Sequence, residues 1–354
     1  MPKMLNWPNG KKTAVSVTVM FETWSDGHAP NYSVQTTHLK SGTVDHASKA
    51  WSTYGGRVGV WRIINMLDRL HIPGTFFTSA RCAEEYPAAV KQIVRSGHDL
   101  GGHSYTQDQL LAYMTAEQQD ATIRNSIDLL ESCGGRKVTG WASPVVAFTP
   151  ETAGLLAKAG LSWTTDVTYT DLPIKIHTPH GTIAGVPTTD FSDNRVMRAS
   201  PRDLFDVYKG TFDYLHQNEP MGLLVFVIHC QFGGRPLITA VLQEVLTYIS
   251  QFPDVWFARH EELGKWALAA DVDEHTYQSR YFGDEAAAAL ANTRVPAGKR
   301  SVAEARADFN GGCESGAATV AGGFRKIPMG RRCAASPQRP PTRPIHRYPR
   351  ETPG

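Results

Sequence analysis

The sequence predicts a single α/β domain in which parallel strands alternate with helices and curl into a barrel. Two runs, residues 14–21 and 222–229, are almost wholly apolar and rich in β-branched side chains, which is typical of parallel strands buried on both faces. Segments with helical periodicity separate these runs from further strand candidates. About seven strand candidates precede residue 270, and this number favours a barrel over a doubly wound sheet.

The composition is that of an ordinary globular protein. Of the 354 residues, 41% are hydrophobic and 20% are charged, and the net charge of +2 gives no reason to expect a nucleic-acid partner. The first residues contain no apolar run, so we expect no signal peptide, and no run is long enough to cross a membrane. The five cysteines are scattered without a C-x-x-C pair, which favours reduced thiols and a cytoplasmic protein.

The first strand leads into a long polar segment, residues 28–56, without helical periodicity. Because a loop of this length in a compact domain is usually functional or disordered, we expect it to cover a pocket. Residues 58–70 then place apolar side chains at helical spacing, and Pro73 ends that helix before a strand at 74–78.

The strand and helix alternation continues to residue 268. The helix at 115–133 has the clearest start signal, with Thr115 as N-cap and Gln118 three residues later. We predict further strands at 98–104, 138–141, 163–166, 182–186, 222–229 and 255–258, and further helices at 87–96, 149–159, 201–217, 237–252 and 261–268.

The composition changes near residue 271. An Ala- and Gly-rich stretch is followed by a segment dense in Pro and Arg that lacks periodicity. We therefore divide the chain into a barrel, residues 1–270, and a low-complexity tail, residues 271–354, which we expect to be disordered or peripheral.

Three strands deliver polar side chains at their C-terminal ends: Glu22, His103 and His229. The carboxyl ends of parallel barrel strands converge on one face, so these side chains are candidates for a shared active site. A lone buried histidine is more often a hydrogen-bonded core residue, but three such strand ends together indicate a site.

Residues 14–268 resemble the polysaccharide deacetylase superfamily. The resemblance lies in the segments VTVMFETWSDG, VGVWRIINMLDRLHIPGTFF, VRSGHDLGGHSYTQ and FVIHCQFGGRPLITAVLQEVLTYISQFPDVWF. It implies a distorted (β/α)7 barrel, and the last segment is similar to the branch that contains cytoplasmic allantoinases and peptidoglycan-deacetylase-like proteins.

The departures from the family pattern bear on the chemistry. Metal-dependent members carry an Asp base, and a second Asp and two His that hold a divalent metal. By resemblance, Glu22 takes the base position, Thr23 and Gln107 stand where two of the metal ligands would be, and His103 keeps the third position. Ala142 matches the arginine that usually orients the base. Since catalytic zinc normally needs three strong donors, we expect no cofactor, with a divalent metal such as zinc as the alternative.

The metal-free members of this superfamily hydrolyse small cyclic amides, and FETWSDG, YGGRVGVW and GHSYTQ look most like cyclic imide hydrolases. The sequence therefore predicts a metal-independent imidase that uses Glu22, His103 and His229. The candidate substrate-binding residues are Thr23, Trp24, Arg57, Ser104, Gln107 and Asp171. Arg57 is equally compatible with a surface salt bridge. Cys230 ends a buried strand, where a cysteine usually only packs.

Two other interpretations stay open at this point. One is a metal-dependent deacetylase that recruits further ligands such as Asp26 or His28, and the other is an inactive barrel that binds a small molecule or a partner. The retained carboxylate and both histidines speak against the inactive barrel. The substrate is expected to be a small cyclic imide or ureide, and by resemblance to related members we expect a homotetramer.

Overall fold

A computed structural model describes residues 5–28, 30, 32–33, 39–40, 42–196 and 200–282. Within these ranges nine strands form a single curled sheet. Their bounds are β1 Thr13–Phe21, β2 Gly74–Thr78, β3 Asp99–Gly102, β4 Gly140–Trp141, β5 Trp163–Thr164, β6 Ile174–Thr178, β7 Gly181–Gly185, β8 Gly222–His229 and β9 Val255–Phe257.

The sheet has the order β6-β7-β5-β4-β3-β2-β1-β8, and β9 also pairs with β1. All of these pairs are parallel except β6 with β7, which confirms the predicted parallel α/β barrel. The barrel is distorted because β4 and β5 are only two residues long. The segment after β7 reaches β8 at an isolated bridge between Ser192 and Val227.

Strand β1 pairs with three other strands, β2, β8 and β9. Its register places Phe21 opposite Thr78 of β2 and Met20 opposite His229 of β8. Because β3 continues the parallel pairing beyond β2, with Gly102 opposite Thr78, the residues after β1, β3 and β8 emerge at the same edge. The predicted convergence of the strand ends is therefore a property of the observed register.

Helices cover the outside of the sheet. The long ones present one apolar face to the core, as the periodicity of residues 58–70 predicts. In the described residues they are α1 His46–Tyr54, α2 Val60–Leu70, α3 Cys82–Glu85, α4 Pro87–Arg95, α5 Ala116–Gly134, α6 Thr152–Lys158, α7 Asp193–Val196, α8 Pro201–Asn218, α9 Cys230–Gly233, α10 Pro236–Ile249, α11 His260–Ala269 and α12 Thr276–Phe282. The predicted capping box of α5, Thr115 with Gln118, is present. None of these helices is long and apolar enough to cross a membrane.

The polar segment after β1 contains more helix than we predicted. Helix α1 continues through a π-helical turn, Gly55–Gly59, directly into α2. This turn packs tightly against the end of β8, since a Cβ atom on Gly59 would lie 1.9 Å from the carbonyl oxygen of Cys230. The close approach fixes the helical part of the segment beside the converging strand ends.

The described chain continues beyond residue 270, where composition placed the end of the barrel. Helix α12 packs through Arg280, whose side chain is buried and donates to the Met221 carbonyl and to the Glu219 carboxylate. Tyr277 and Tyr281 also donate to Glu219. The first part of the predicted tail therefore belongs to the folded unit, while residues 283–354 lie outside the described residues.

Candidate active site

Glu22 follows β1 directly, and its carboxylate is buried among polar side chains. Its Oε2 atom accepts hydrogen bonds from the Tyr32 hydroxyl at 2.9 Å and from Gln231 Nε2 at 2.8 Å. Gln231 Nε2 also donates to the Tyr32 oxygen at 2.7 Å. Two donors thus hold Oε2, so Oε1 is the carboxylate oxygen that is available to accept a proton.

Both predicted histidines approach Oε1 of Glu22. The Nε2 atom of His103 lies 3.5 Å from it, and Nε2 of His229 lies 3.9 Å away. The orientation of the His103 ring is fixed by a hydrogen bond from its Nδ1 to the Ala142 carbonyl oxygen at 2.7 Å. The structure therefore brings Glu22, His103 and His229 into one cluster at the ends of β1, β3 and β8.

Asp193, which the sequence analysis missed, holds His229. Its Oδ1 atom lies 2.6 Å from Nδ1 of His229, and its Oδ2 atom accepts the backbone N–H of His229 at 2.8 Å. Asp193 is fully buried at the start of α7. A Cβ atom on Gly233 would lie 2.7 Å from Oδ2, so the glycine leaves room for this carboxylate.

These neighbours set the charges of the cluster. Burial raises the pKa of Glu22, but the positive charge of His229 and the contact with His103 outweigh burial and lower this pKa to about 2. Burial likewise lowers the pKa of His229, but the charges of Asp193 and Glu22 outweigh it and raise this pKa to about 9. At neutral pH the pair is a carboxylate and an imidazolium.

A cavity of about 100 Å³ opens onto Glu22 and Thr23. Trp24 and Tyr86 contribute aromatic walls, and Lys49 brings a cation from α1. Residues of the segment 28–56 thus line the cavity, as predicted, although residues 29, 31, 34–38 and 41 of that segment lie outside the described residues. Neither histidine lines this cavity. Tyr32, which donates to Glu22, also lies against the ring of His229, with the ring centroids 5.8 Å apart.

Thr23 and Gln107 lie together beside Glu22. The backbone N–H of Gln107 donates to the Thr23 carbonyl oxygen at 2.8 Å, and both side chains are buried. Among the described residues, Thr23 Oγ1, Gln107 Oε1 and His103 Nε2 have no hydrogen-bond partner. These three atoms stand where the resemblance would place metal ligands.

The donor set does not fit a catalytic zinc ion. A hydroxyl and a primary amide are weak, uncharged donors, so the set contains one strong ligand and no charge to balance the ion. The imidazolium of His229 adds a positive charge beside the same carboxylate. No group of three or more His, Cys, Asp or Glu residues within the described ranges has a metal-binding arrangement.

The other predicted binding residues have different positions. Trp24 lines the cavity and packs edge-on against Tyr32, and Ser104 is buried, with its hydroxyl donating to the Gln109 carbonyl oxygen. Arg57 is exposed and is not part of the cavity lining, so its place at the pocket mouth stays a prediction beside the alternative of a surface salt bridge. Asp171 is exposed and lines a separate cavity of about 330 Å³, and its predicted role in substrate binding stays a prediction.

Cys230 does not have the character of a nucleophile. Its side chain is fully buried, and burial raises the pKa of its thiol well above the usual value. Since the thiolate is the reactive form, this cysteine is inert at neutral pH. The expectation that Cys230 only packs is consistent with this environment.

Three residues of the cluster, Tyr32, Asp193 and Gln231, were absent from the sequence-based site. Gln231 lies two positions after His229 in a Gly-rich exit from β8, and this proximity was a usable signal. Tyr32 lies between regular elements, and Asp193 begins the four-residue helix α7, which is too short for periodicity to indicate which side chain points inward.

The comparisons with known proteins agree with this architecture. The family model for polysaccharide deacetylase matches residues 43–163. A peptidoglycan deacetylase of Helicobacter pylori is 22% identical over 59% of this chain and 84% of its own length. A peptidoglycan deacetylase-like protein of Gibberella zeae is 31% identical over 37% of this chain and 40% of its own length. The crystal structure of Puue allantoinase is 27% identical, with a TM-score of 0.67, and the match covers 75% of this chain and 93% of the allantoinase chain. Together these matches show that the chain is similar to polysaccharide deacetylases, and its fold is the distorted α/β barrel of the matched structures.

Proposed function

We propose that the protein is a metal-independent hydrolase that opens the C–N bond of a small cyclic imide. The observation that carries the proposal is the buried carboxylate–imidazolium pair of Glu22 and His229, next to a donor set too weak for catalytic zinc. The superfamily matches support hydrolysis of a C–N bond in general.

A cyclic imide suits a site without a metal ion. When its ring opens, the negative charge on the departing nitrogen is shared with the second carbonyl group, so this nitrogen leaves more readily than an ordinary amine. Less electrophilic assistance is then required, and positioned proton donors and acceptors can supply it. The cavity of about 100 Å³ also matches one small ring better than a sugar chain.

The three side chains take separate roles in this proposal. Glu22 accepts a proton from water as the water oxygen bonds to the imide carbonyl carbon, and His103 orients that water through Nε2. The C–N bond breaks with its electron pair on nitrogen, and the His229 imidazolium donates the proton that this nitrogen requires. The ring opens to an amide that also carries a carboxylic acid, which loses its proton to solvent. Glu22 then passes the proton that it took from water to His229, 3.9 Å away, and this transfer restores both groups, while the charge of Asp193 favours the protonated form of His229.

A cyclic ureide is the second candidate substrate. The 27% identity and TM-score of 0.67 to Puue allantoinase favour this class, because allantoin is a ureide. Ureide nitrogen is a poorer leaving group than imide nitrogen, so a ureide depends more strongly on proton donation by His229. The two candidates share the same catalytic residues and differ in the ring.

A substrate panel tests the proposal. We expect the purified protein to hydrolyse succinimide or glutarimide faster than hydantoin or allantoin, with no release of acetate from N-acetylglucosamine oligomers. Glu22→Gln keeps the shape of the side chain but removes the base, and we expect kcat/KM to fall about 10²–10⁴-fold. Glu244→Gln, which changes an exposed carboxylate paired with Arg202, is the matched control and should leave kcat/KM unchanged. Acetate release without imide turnover would contradict the proposal.

A further inference from the structure

Unpartnered polar atoms concentrate around Glu22. Seven buried side-chain atoms in the described part of the chain lack a hydrogen-bond partner, and four of them belong to Thr23, His103, Gln107 and Gln231. His103 and Gln231 contact the Glu22 carboxylate directly, and Gln107 is bonded to the backbone of Thr23. Since buried polar groups in proteins are nearly always satisfied, this concentration indicates a place where a ligand completes the hydrogen bonds.

The chemistry of these atoms specifies what the ligand must offer. The side-chain oxygens of Gln107 and Gln231 are acceptors only, so each requires an N–H or O–H donor. Gln231 is fully buried, and its Nε2 atom is already fixed by Glu22 and Tyr32. Gln107 keeps 7% of its surface exposed and lies next to Thr23, which lines the cavity. Of the two acceptors, Gln107 is therefore the one bonded through its backbone to a residue of the cavity wall, while its side-chain oxygen is buried behind that wall.

We propose that Gln107 determines substrate specificity by accepting a hydrogen bond from the ring N–H, so that the site selects rings with an unsubstituted nitrogen. This inference rests on the proposed function for the class of ring. The Thr23 hydroxyl beside Gln107 can donate to the adjacent ring carbonyl, which pairs both side chains with one N–H/C=O edge.

This recognition is compatible with the proposed proton transfer. The N–H bond of an imide lies in the ring plane, whereas the proton that the departing nitrogen receives is added along its lone pair as the C–N bond breaks. Gln107 can therefore hold the nitrogen by its existing hydrogen while His229 supplies the second one. An N-alkyl ring offers no hydrogen to Gln107 and leaves its oxygen unsatisfied, which is costly in a buried site.

A binding experiment tests the inference separately from catalysis. Calorimetric titrations of the Glu22→Gln protein with succinimide and with N-methylsuccinimide avoid turnover of either probe. We expect succinimide to bind about 10- to 100-fold more tightly, the effect of leaving one buried acceptor unsatisfied. In the same background, Gln107→Met keeps the length of the side chain but removes the acceptor, and the two affinities should come within about threefold of each other. Gln243→Met, a partly exposed glutamine bonded to Arg69, is the control that should keep the discrimination.

The outcomes are distinguishable. Equal affinities of the Glu22→Gln protein for the two probes would mean that a bound water alone satisfies Gln107. If the preference for succinimide survives Gln107→Met, the methyl group is excluded sterically. Either result, or no binding of either probe, overturns the inference. If Gln107→Met abolishes the preference for succinimide and the wild-type protein hydrolyses no imide, the inference is supported and the proposed function is refuted.

Thermal unfolding distinguishes a role of Gln107 in ligand recognition from a role in supporting the fold. Because the side-chain oxygen of Gln107 has no partner within the described residues, its replacement should leave the melting temperature of the unliganded protein unchanged or higher. A marked decrease would show that Gln107 supports the fold, and this result would count against the proposal.

Discussion

Glu22 and His229 are both charged because their neighbours outweigh the effect of burial. Burial alone would favour the neutral form of each group, and yet Asp193 and the mutual attraction of the pair keep the imidazolium and the carboxylate. A carboxylate with a pKa of about 2 is a weak base, so its usefulness depends on its position against the bound water. The His229 imidazolium, with a pKa of about 9, is available as an acid across neutral pH.

The pH dependence of kcat/KM follows from these two groups. The active state needs ionised Glu22 and protonated His229, so we expect a constant rate between the two pKa values and a fall above about 9, where His229 loses its proton. Because Asp193 raises the pKa of His229, Asp193→Asn should move the alkaline limb toward the ordinary value of 6.5. A limb that stays near 9 in this folded variant would exclude His229 as the acid.

Two elements outside the alternating strand and helix pattern complete the molecule. The segment after β1 supplies Tyr32 above Glu22 and, through α1, the Lys49 side of the cavity. At the other end of the described chain, α12 places Arg280 in a buried ion pair with Glu219, at a distance of 3.1 Å. The segment after β1 shapes the site, whereas α12 packs against Glu219 and Met221, which precede β8.

The ion pair of α12 can be tested by stability measurements. Arg280→Met leaves Glu219 buried without its cationic partner, and we expect a loss of about 3 kcal/mol in the free energy of unfolding. A chain that ends after residue 282 should keep the melting temperature of the full chain, since residues 283–354 carry no motif. A chain that ends after residue 270 should melt at a lower temperature, and equal melting of the two shortened chains would contradict the role of α12.

At the scale of the whole molecule, the sequence predicts what depends on periodicity. The buried strands β1 and β8 follow from apolar runs, and the capping box of α5 follows from the spacing of Thr115 and Gln118. Parallel pairing of the strands then predicts that Glu22, His103 and His229 converge. Asp193 and Tyr32 could not be found in this way, because tertiary contacts alone decide which side chain of an irregular segment or a four-residue helix points inward. Arg57 precedes a predicted helix and Asp171 follows a predicted strand, and the side chains of both are exposed.

The hairpin of β6 and β7 was also only half predicted. The apolar residues of its second strand predict that strand, whereas Ile174–Thr178 alternates polar and apolar side chains at the edge of the sheet and gives no clear strand signal. A single-sided edge strand carries a weaker signal than a strand buried on both faces. The fold was therefore predictable where burial is complete, and less so at its edges.

Turnover by the metal-free protein tests the central claim most directly. The claim is that Glu22 and His229 supply the proton transfers without a metal ion, because Thr23 and Gln107 are too weak to help hold one. After prolonged chelation, with metal content verified by elemental analysis, we expect kcat/KM for succinimide to be unchanged and added Zn²⁺ to bring no increase. Loss of turnover on chelation, with recovery on adding Zn²⁺, would contradict the claim.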